Sequence, residues 1–442
     1  MSIAHGGRAL VARIGIRRED INRRERRAPL TPQDVRWLIS EHGLEVIVED
    51  SSLRVYTNVE YVRAGARVEK SLKECPVIFA IKEIPVSELE EGKTYIFFAH
   101  VIKGQEHNMP MLRRLMDLKC QLIDYERIVD DRGRRLIFFG RHAGLAGVIE
   151  TLWALGQRLR WEGLATPFLN LRHAFDYDNL TAAKRALREL GNLVSRDGLP
   201  ESLSPLIIGV TGYGNVAGGV WEMLRELPVK ELSPDEIEEG LKAPSRHLIY
   251  AVTFKEEHMV EPVEPGRKFE LQDYYQHPEK YRPRFERYLP HLTVLLNCIY
   301  WDARYPRLVT REYLRREGQH RLRVVGDISC DIRGSIEFTY KATEPDSPVF
   351  VYDPESDTIR DGVEGNGVVV MAVYNLPCEF PKESSESFSA ALRPFVPEIA
   401  KADYSASFER IALQPTLKNA MILHKGELTP PYRYIVKFLE KR

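Results

Sequence analysis

Residues 205–227 read PLIIGVTGYGNVAGGVWEMLREL. The apolar run Leu206 to Val210 has the length and composition of a buried strand, and VWEMLREL continues with helical spacing. Between them stands G-x-G-x-x-A, with Gly212 for a tight turn, Gly214 for close approach of a pyrophosphate, and Ala217 or Gly218 for close helix packing. Phosphates are expected at the helix N-terminus, where free N–H groups and the helix dipole favour negative charge. Tyr213, Asn215 and Val216 are the turn's other expected cofactor contacts. An acid is needed about 20 positions further on for the adenosine ribose. Glu231 fills that place, and Lys230 beside it would suit a 2′-phosphate, so NAD and NADP both stay open.

Working outward, strand and helix signals alternate through the N-terminal third: ARIGIRRE, the helix-like PQDVRWLISEHG with Thr31 and Pro32 at its start, then LEVIVED, PVIFAIKE, TYIFFAHVI and CQLIDYE. This rhythm predicts an α/β fold with parallel sheets covered by helices. A long helix from Ala143 to Glu162 bridges into a second domain. Strands return at LTVLLNCIYW, RLRVVGDISC and GVVVMAVYNLP, after a charged, Tyr-rich insertion near residues 230–290.

The chain has 442 residues, 43% of them apolar, enough for two large domains. Its 63 Lys and Arg balance 64 Asp and Glu, so no overall field draws nucleic acid or an anionic membrane. Five scattered cysteines without a C-x-x-C pair point away from disulfides and from a structural zinc, and no metal is expected. Arg8, Arg13, Arg17 and Arg18 do not make a leader with an apolar core, so the expected compartment is the cytoplasm.

Three expected strands of the first domain end in ionisable groups: Lys82 and Glu83, His100, and Glu126. Parallel strands put such groups on one edge of a sheet, where α/β folds place ligands. A lysine of lowered pKa and a histidine move the protons of amines and carbinolamines at neutral pH, so Lys82 and His100 are the expected acid/base pair. Six arginines, Arg17, Arg18, Arg23, Arg24, Arg26 and Arg27, crowd residues 17–27. One or two of these, or Arg134, would suit bidentate binding of substrate carboxylates. His107 is read as a surface residue.

ERRAPLTP, IKE, FFAHVIKGQEHNM, LIDYERIVDDRGRR, FGRHAGLAG, TGYGNVAGG, DYYQHPEKYRPRF, NCIYW, GDISCDIRGSIEF and VEGNG together resemble the lysine-ketoglutarate reductase domain of the α-aminoadipic semialdehyde synthases. Those are saccharopine dehydrogenases of the L-lysine-forming type, within the alanine dehydrogenase and transhydrogenase superfamily. The resemblance implies two Rossmann-like domains, residues 1–145 with 378–442 for substrate and 146–377 for the cofactor, the second inserted into the first. It implies NAD(P)-dependent condensation of lysine with 2-oxoglutarate to saccharopine, or the reverse, with NADP slightly favoured. Lys82 and His100 fall on the family's acid/base positions. Arg27, Glu83, Lys103, Gln105, Glu126 and Arg134 fall on substrate-binding ones, and Ile299 and Asp327 on cofactor contacts. Tyr374 stands near the nicotinamide where the reductases carry Asp, which keeps a related amino-acid or opine dehydrogenase open. The third possibility, a silent nucleotide-binding regulator, needs no acid/base pair. The resemblance further implies that a saccharopine-cleaving dehydrogenase would be a separate partner.

Overall fold

A computed structural model describes residues 12–318 and 321–440; Arg8 lies outside the described residues. The chain forms two compact units, residues 1–139 with 381–442, and residues 140–380 between them in sequence.

The first unit opens with β1 (Arg13–Ile16), β2 (Glu45–Glu49), β3 (Arg67–Glu69), β4 (Val77–Phe79), β5 (Thr94–Phe97) and β6 (Gln121–Asp124), all parallel. Strands β4 to β6 are buried along their whole length, as a sheet covered on both faces requires. Between β1 and β2 runs the helix Pro32–His42. Thr31 caps it by accepting from the Asp34 N–H, and Gly43 ends it at φ 63°. β4 and β5 stop before the residues expected to end them. The Ile81 and Lys82 N–H groups donate to the Glu19 carboxylate in place of the ladder, and His100 turns the chain at φ 48°. Lys82, Glu83 and His100 therefore sit on loops just past the strand ends.

The second unit contains β7 (Leu206–Thr211), β8 (Val229–Leu232), β9 (Ile249–Phe254), a small antiparallel pair β10 (Val260–Pro262) and β11 (Tyr281–Pro283), then β12 (Val294–Asn297), β13 (Val324–Asp327), β14 (Val349–Asp353), β15 (Thr358–Asp361) and β16 (Val368–Met371). The large sheet runs β15-β14-β16-β13-β12-β7-β9-β8, parallel except for β14 and β15. Side chains alternate between its faces: Ile208, Val210, Leu296 and Ala251 join the core under the helices, and Ile207, Leu295, Val252 and Phe254 the other. The second core is closed by Tyr274, Tyr281, Phe285 and Tyr288. The region near 230–290 is thus no simple insertion, because it supplies the strand β9 between β7 and β8 and one covering layer.

The helix Gly140–Trp161 lies wholly in the second unit, so a boundary at residue 145 would cut it. It crosses the helix Asn215–Leu224 at backbone contact: a Cβ at Gly144 would overlap the Val216 carbonyl, and one at Gly219 the Arg141 carbonyl. Close packing falls to Gly219, whereas a Cβ on Gly218 meets nothing within 4 Å.

The chain then returns to the first unit with β17 (Met421–His424) and β18 (Glu427–Leu428), giving the order β18-β17-β6-β5-β4-β1-β2-β3. β17 is antiparallel to β6, and the helix Pro381–Leu392 anchors the arginine-rich loop, Ser385 Oγ accepting from Ala28 N–H and Ser389 Oγ from Thr31 N–H.

Candidate active site

In the first unit the loops after β4, β5 and β6 bring ionisable side chains to one sheet edge. His100 Nδ1 lies 2.5 Å from Glu83 Oε1, and the ring stacks on Phe98. Burial works against the imidazolium, but the Glu83 hydrogen bond and charge win and raise the His100 pKa. Burial likewise opposes the Glu83 carboxylate, and the hydrogen bond with His100 overcomes it, leaving Glu83 at about 2. The result is an ion pair whose imidazole has Nδ1 committed, so Nε2 is the atom for proton exchange. Asn108 Nδ2 donates to Glu83 Oε1 and to the His100 carbonyl, 3.4 Å each, and fixes the turn.

Lys82 is held through its backbone by Glu19, Oε1 taking the Ile81 N–H at 2.7 Å and Oε2 the Lys82 N–H at 3.0 Å. Burial lowers the Lys82 pKa first and the Arg27 charge lowers it further, against Glu25, Glu83 and Glu19. Both effects make the neutral amine of Lys82 easier to reach than that of a solvated lysine. Glu19 is itself pushed up to about 7, by burial and then by Glu25.

Arg27 is 2% exposed and paired bidentately with Glu25, Nε to Oε1 at 2.7 Å and Nη2 to Oε2 at 2.6 Å, with its guanidinium 4.2 Å over Phe139. Glu126 takes an ion pair from Arg135 Nη2 at 3.0 Å. Its N–H is held by the buried Asp124, whose carboxyl burial pushes up to about 7. Of the two adjacent arginines it is therefore Arg135 that joins the cluster. Arg134 is bound back to Asp130 in its own turn, with a side chain 71% exposed. Gln105 Oε1 accepts the Lys103 N–H, which shapes the loop between His100 and Asn108; Lys103 and His107 are exposed. Sequence reasoning missed Glu19, Glu25, Asn108 and Arg135. The acids stood in plain view between the counted arginines, as R-E-D and R-E-R.

In the second unit Gly212 adopts φ +86° at the end of β7, and Gly214 caps the helix Asn215–Leu224. A Cβ on Gly214 meets nothing within 4 Å, so the turn leaves room at the helix N-terminus for a phosphate. Beside the turn is a cavity of about 350 Å³, lined by Gly212, Tyr213, Gly214, Ile299 and aromatic residues of the 270–305 region. These residues fit a dinucleotide: small at the phosphates, flat and apolar for adenine, with one acid.

That acid is Glu256, not Glu231. Glu231 sits in the exposed outer strand β8, and the strand next to β7 on that side is β9. A ribose-binding acid belongs at the end of the neighbouring strand, and Glu256 follows β9 directly and lines the cavity. Counting along the chain failed because β8 intervenes. Asp327 is also displaced from its expected role. It is 1% exposed, with Oδ1 taken by Asn297 Nδ2 at 2.8 Å and Oδ2 by Thr339 Oγ1 at 2.6 Å. Together with the Thr211 hydroxyl donating to Asn297 Oδ1, it ties the ends of β7, β12 and β13 under the cavity. Tyr374 is 38% exposed, hydrogen-bonds by its N–H to Thr343, and does not line the cavity.

Comparison with known proteins places these features in context. Residues 15–146 match the model for the alanine dehydrogenase/PNT N-terminal domain, and residues 284–431 that for the alanine dehydrogenase/PNT C-terminal domain. The chain is 36% identical over 446 residues to the alpha-aminoadipic semialdehyde synthase, mitochondrial, of Mus musculus, covering 97% of this chain and 48% of the synthase. It is 37% identical to the alpha-aminoadipic semialdehyde synthase of Arabidopsis thaliana, of which it covers 41%. The chain thus spans about half the length, or less, of these relatives. A shorter relative is the saccharopine dehydrogenase [NAD(+), L-lysine-forming] of Yarrowia lipolytica, 26% identical over 87% of this chain and 92% of that one. Among solved structures, an L-alanine dehydrogenase superposes with a TM-score of 0.60 at 16% identity, over 97% of this chain and 99% of that chain, which shows a shared fold.

Proposed function

This chain belongs to the alanine dehydrogenase/PNT family, and we propose that it is a lysine-ketoglutarate reductase, joining the ε-amine of lysine to 2-oxoglutarate with nicotinamide hydride to give saccharopine, or running that reaction backwards. The observation that carries this reading is the His100 and Glu83 pair beside a lysine of depressed pKa on one sheet edge. It is supported by the names of the relatives that match nearly the whole chain.

The chemistry sets three tasks. The ε-amine must lose a proton before it attacks the ketone, and Lys82, whose pKa burial lowers, is the group assigned to accept one. Water must leave from the carbinolamine, and the protonated His100 supplies the proton from Nε2 while Glu83 holds the imidazolium in orientation. The carboxylates of 2-oxoglutarate need fixed cations, and Arg27, made rigid by Glu25 and Phe139, is one such cation, with Arg135 a second. NAD(H) or NADP(H) in the second unit would be held by the turn at Gly212 to Asn215 and by the cavity beside it, and when bound supplies the hydride for the imine carbon.

The test is turnover across a panel of amines and oxoacids, with the product identified by mass. Lysine with 2-oxoglutarate is expected to give saccharopine at the highest kcat/KM. Turnover of another amine with none of lysine would leave the family chemistry standing and remove lysine as the substrate.

A further inference from the structure

Glu256 does not stand alone at the cavity. The Tyr275 hydroxyl donates to Glu256 Oε1 at 2.6 Å, and the Tyr213 hydroxyl lies 3.5 Å from the same oxygen. Tyr275 comes from the short helix Leu271–Gln276 in the DYYQHPEKYRPRF segment, which no step of the proposed reaction uses. Its neighbour Tyr274 is buried at 7% exposure and packs against Tyr281, Tyr305 and Phe269, so the helix is pinned by aromatic contacts and Tyr275 is held in the cavity wall. Tyr275 and Tyr213, at 40% and 55% exposure, leave broad aromatic surface to a planar base.

We propose that Tyr275 is a positioning residue that aims the Glu256 carboxylate at a ribose 2′-hydroxyl, so that this chain selects NAD(H) over NADP(H). A carboxylate with one oxygen committed to Tyr275 keeps the other to accept from a 2′-hydroxyl. A 2′-phosphate would bring negative charge onto a carboxylate that cannot swing away, because Tyr275 holds it; such a like-charge encounter rejects the wrong partner. Glu257 adds a second negative charge, and the exposed Lys255 is the cation beside them. The proposal rests on the second unit's being a dinucleotide site, not on lysine's being the amine.

The experiment is titration of the full chain with NADH and with NADPH, by calorimetry or protein fluorescence, in the wild type, Tyr275→Phe and Glu256→Gln. The wild type is expected to bind NADH more tightly, by roughly a hundredfold. Glu256→Gln should bring the two constants close together, and Tyr275→Phe should narrow their ratio by roughly fivefold through weaker NADH and stronger NADPH binding. Equal melting temperatures would confine the effect to the site. Wild-type preference for NADPH overturns the proposal, and so does a ratio that Tyr275→Phe leaves unchanged. Binding of neither cofactor would overturn it together with the dinucleotide site. NADH binding in the expected order without turnover of lysine would instead count against the substrate assignment alone.

Discussion

The two units share a frame and differ in their loops. Each has six parallel strands with the first strand fourth from the end of the order, β3-β2-β1-β4-β5-β6 in one and β8-β9-β7-β12-β13-β16 in the other, and each adds two antiparallel strands beyond the sixth. After β1 the chain runs into REDINRRERR, and its edge becomes a set of buried charges. After β7 it runs into TGYGN, and its edge becomes a glycine turn beside an aromatic cavity over a floor hydrogen-bonded through Thr211, Asn297 and Asp327. In the proposed reading the same sheet order serves proton chemistry in one unit and nucleotide binding in the other, and the loop after the first strand makes the difference.

The division can be broken most decisively at His100 and Lys82. His100→Ala or Lys82→Met should each lower kcat by about 10² to 10⁴ while NADH affinity stays within about twofold. Lost cofactor affinity in both, seen by titration, would make the first-unit cluster structural. The converse is Gly214→Asp, expected to weaken NADH by about a hundredfold through repulsion at the phosphates. An acid at this cap position favours the helix and its Cβ enters open space, so the melting temperature should hold or rise. A fall in stability with unchanged NADH binding would remove the turn from the site.

Glu83→Gln sharpens the electrostatics. With the carboxylate gone, burial acts on His100 against the Glu126 charge alone and its pKa falls, so the His100 limb of the kcat/KM profile should move to lower pH. In the wild type Glu83, at about 2, contributes stability present above the ordinary carboxylate pKa and lost as pH falls toward 2. His100, raised, contributes stability present below its ordinary value of 6.5 and lost as pH rises through the raised one. An unmoved limb would assign it to another group.

The smallest effect concerns Glu19, pushed up to about 7. A carboxyl raised by burial costs stability as pH climbs from the ordinary carboxylate range through 7. Glu19→Gln removes that cost and loses one hydrogen bond, so it should gain about 1 to 2 kcal/mol at pH 8 and nothing at pH 4. Denaturant melts at both pH values read this, and destabilisation at pH 8 would show that the charge on Glu19 is needed.

The parts legible in sequence were those fixed by neighbours along the chain. The strand, glycine turn and helix at 205–227 and the Thr31 cap with Pro32 each follow from a few consecutive residues. The place of Glu256 at the cavity was not legible in this way, because it depends on β9 lying beside β7 although β8 precedes it. The antiparallel edge strands also escaped, since TIRD and EL are short and carry charges where a strand signal needs apolar alternation. At the site, Lys82 and His100 stood out as polar groups ending apolar runs, and the structure brings them to one edge with Glu83. Glu19 and Glu25 did not stand out, because their partners, the backbone after β4 and the Arg27 guanidinium, are set by folding. Arg134 and Arg135 are indistinguishable in D-R-G-R-R, and only the turn at Asp130 decides which one reaches Glu126.

The most direct test of the account is the rate of NADH or NADPH oxidation with lysine alone, 2-oxoglutarate alone, and both together. The account predicts oxidation only with both, carried by the wild type and lost in His100→Ala. Oxidation with either alone, or the same rate in His100→Ala, would contradict it.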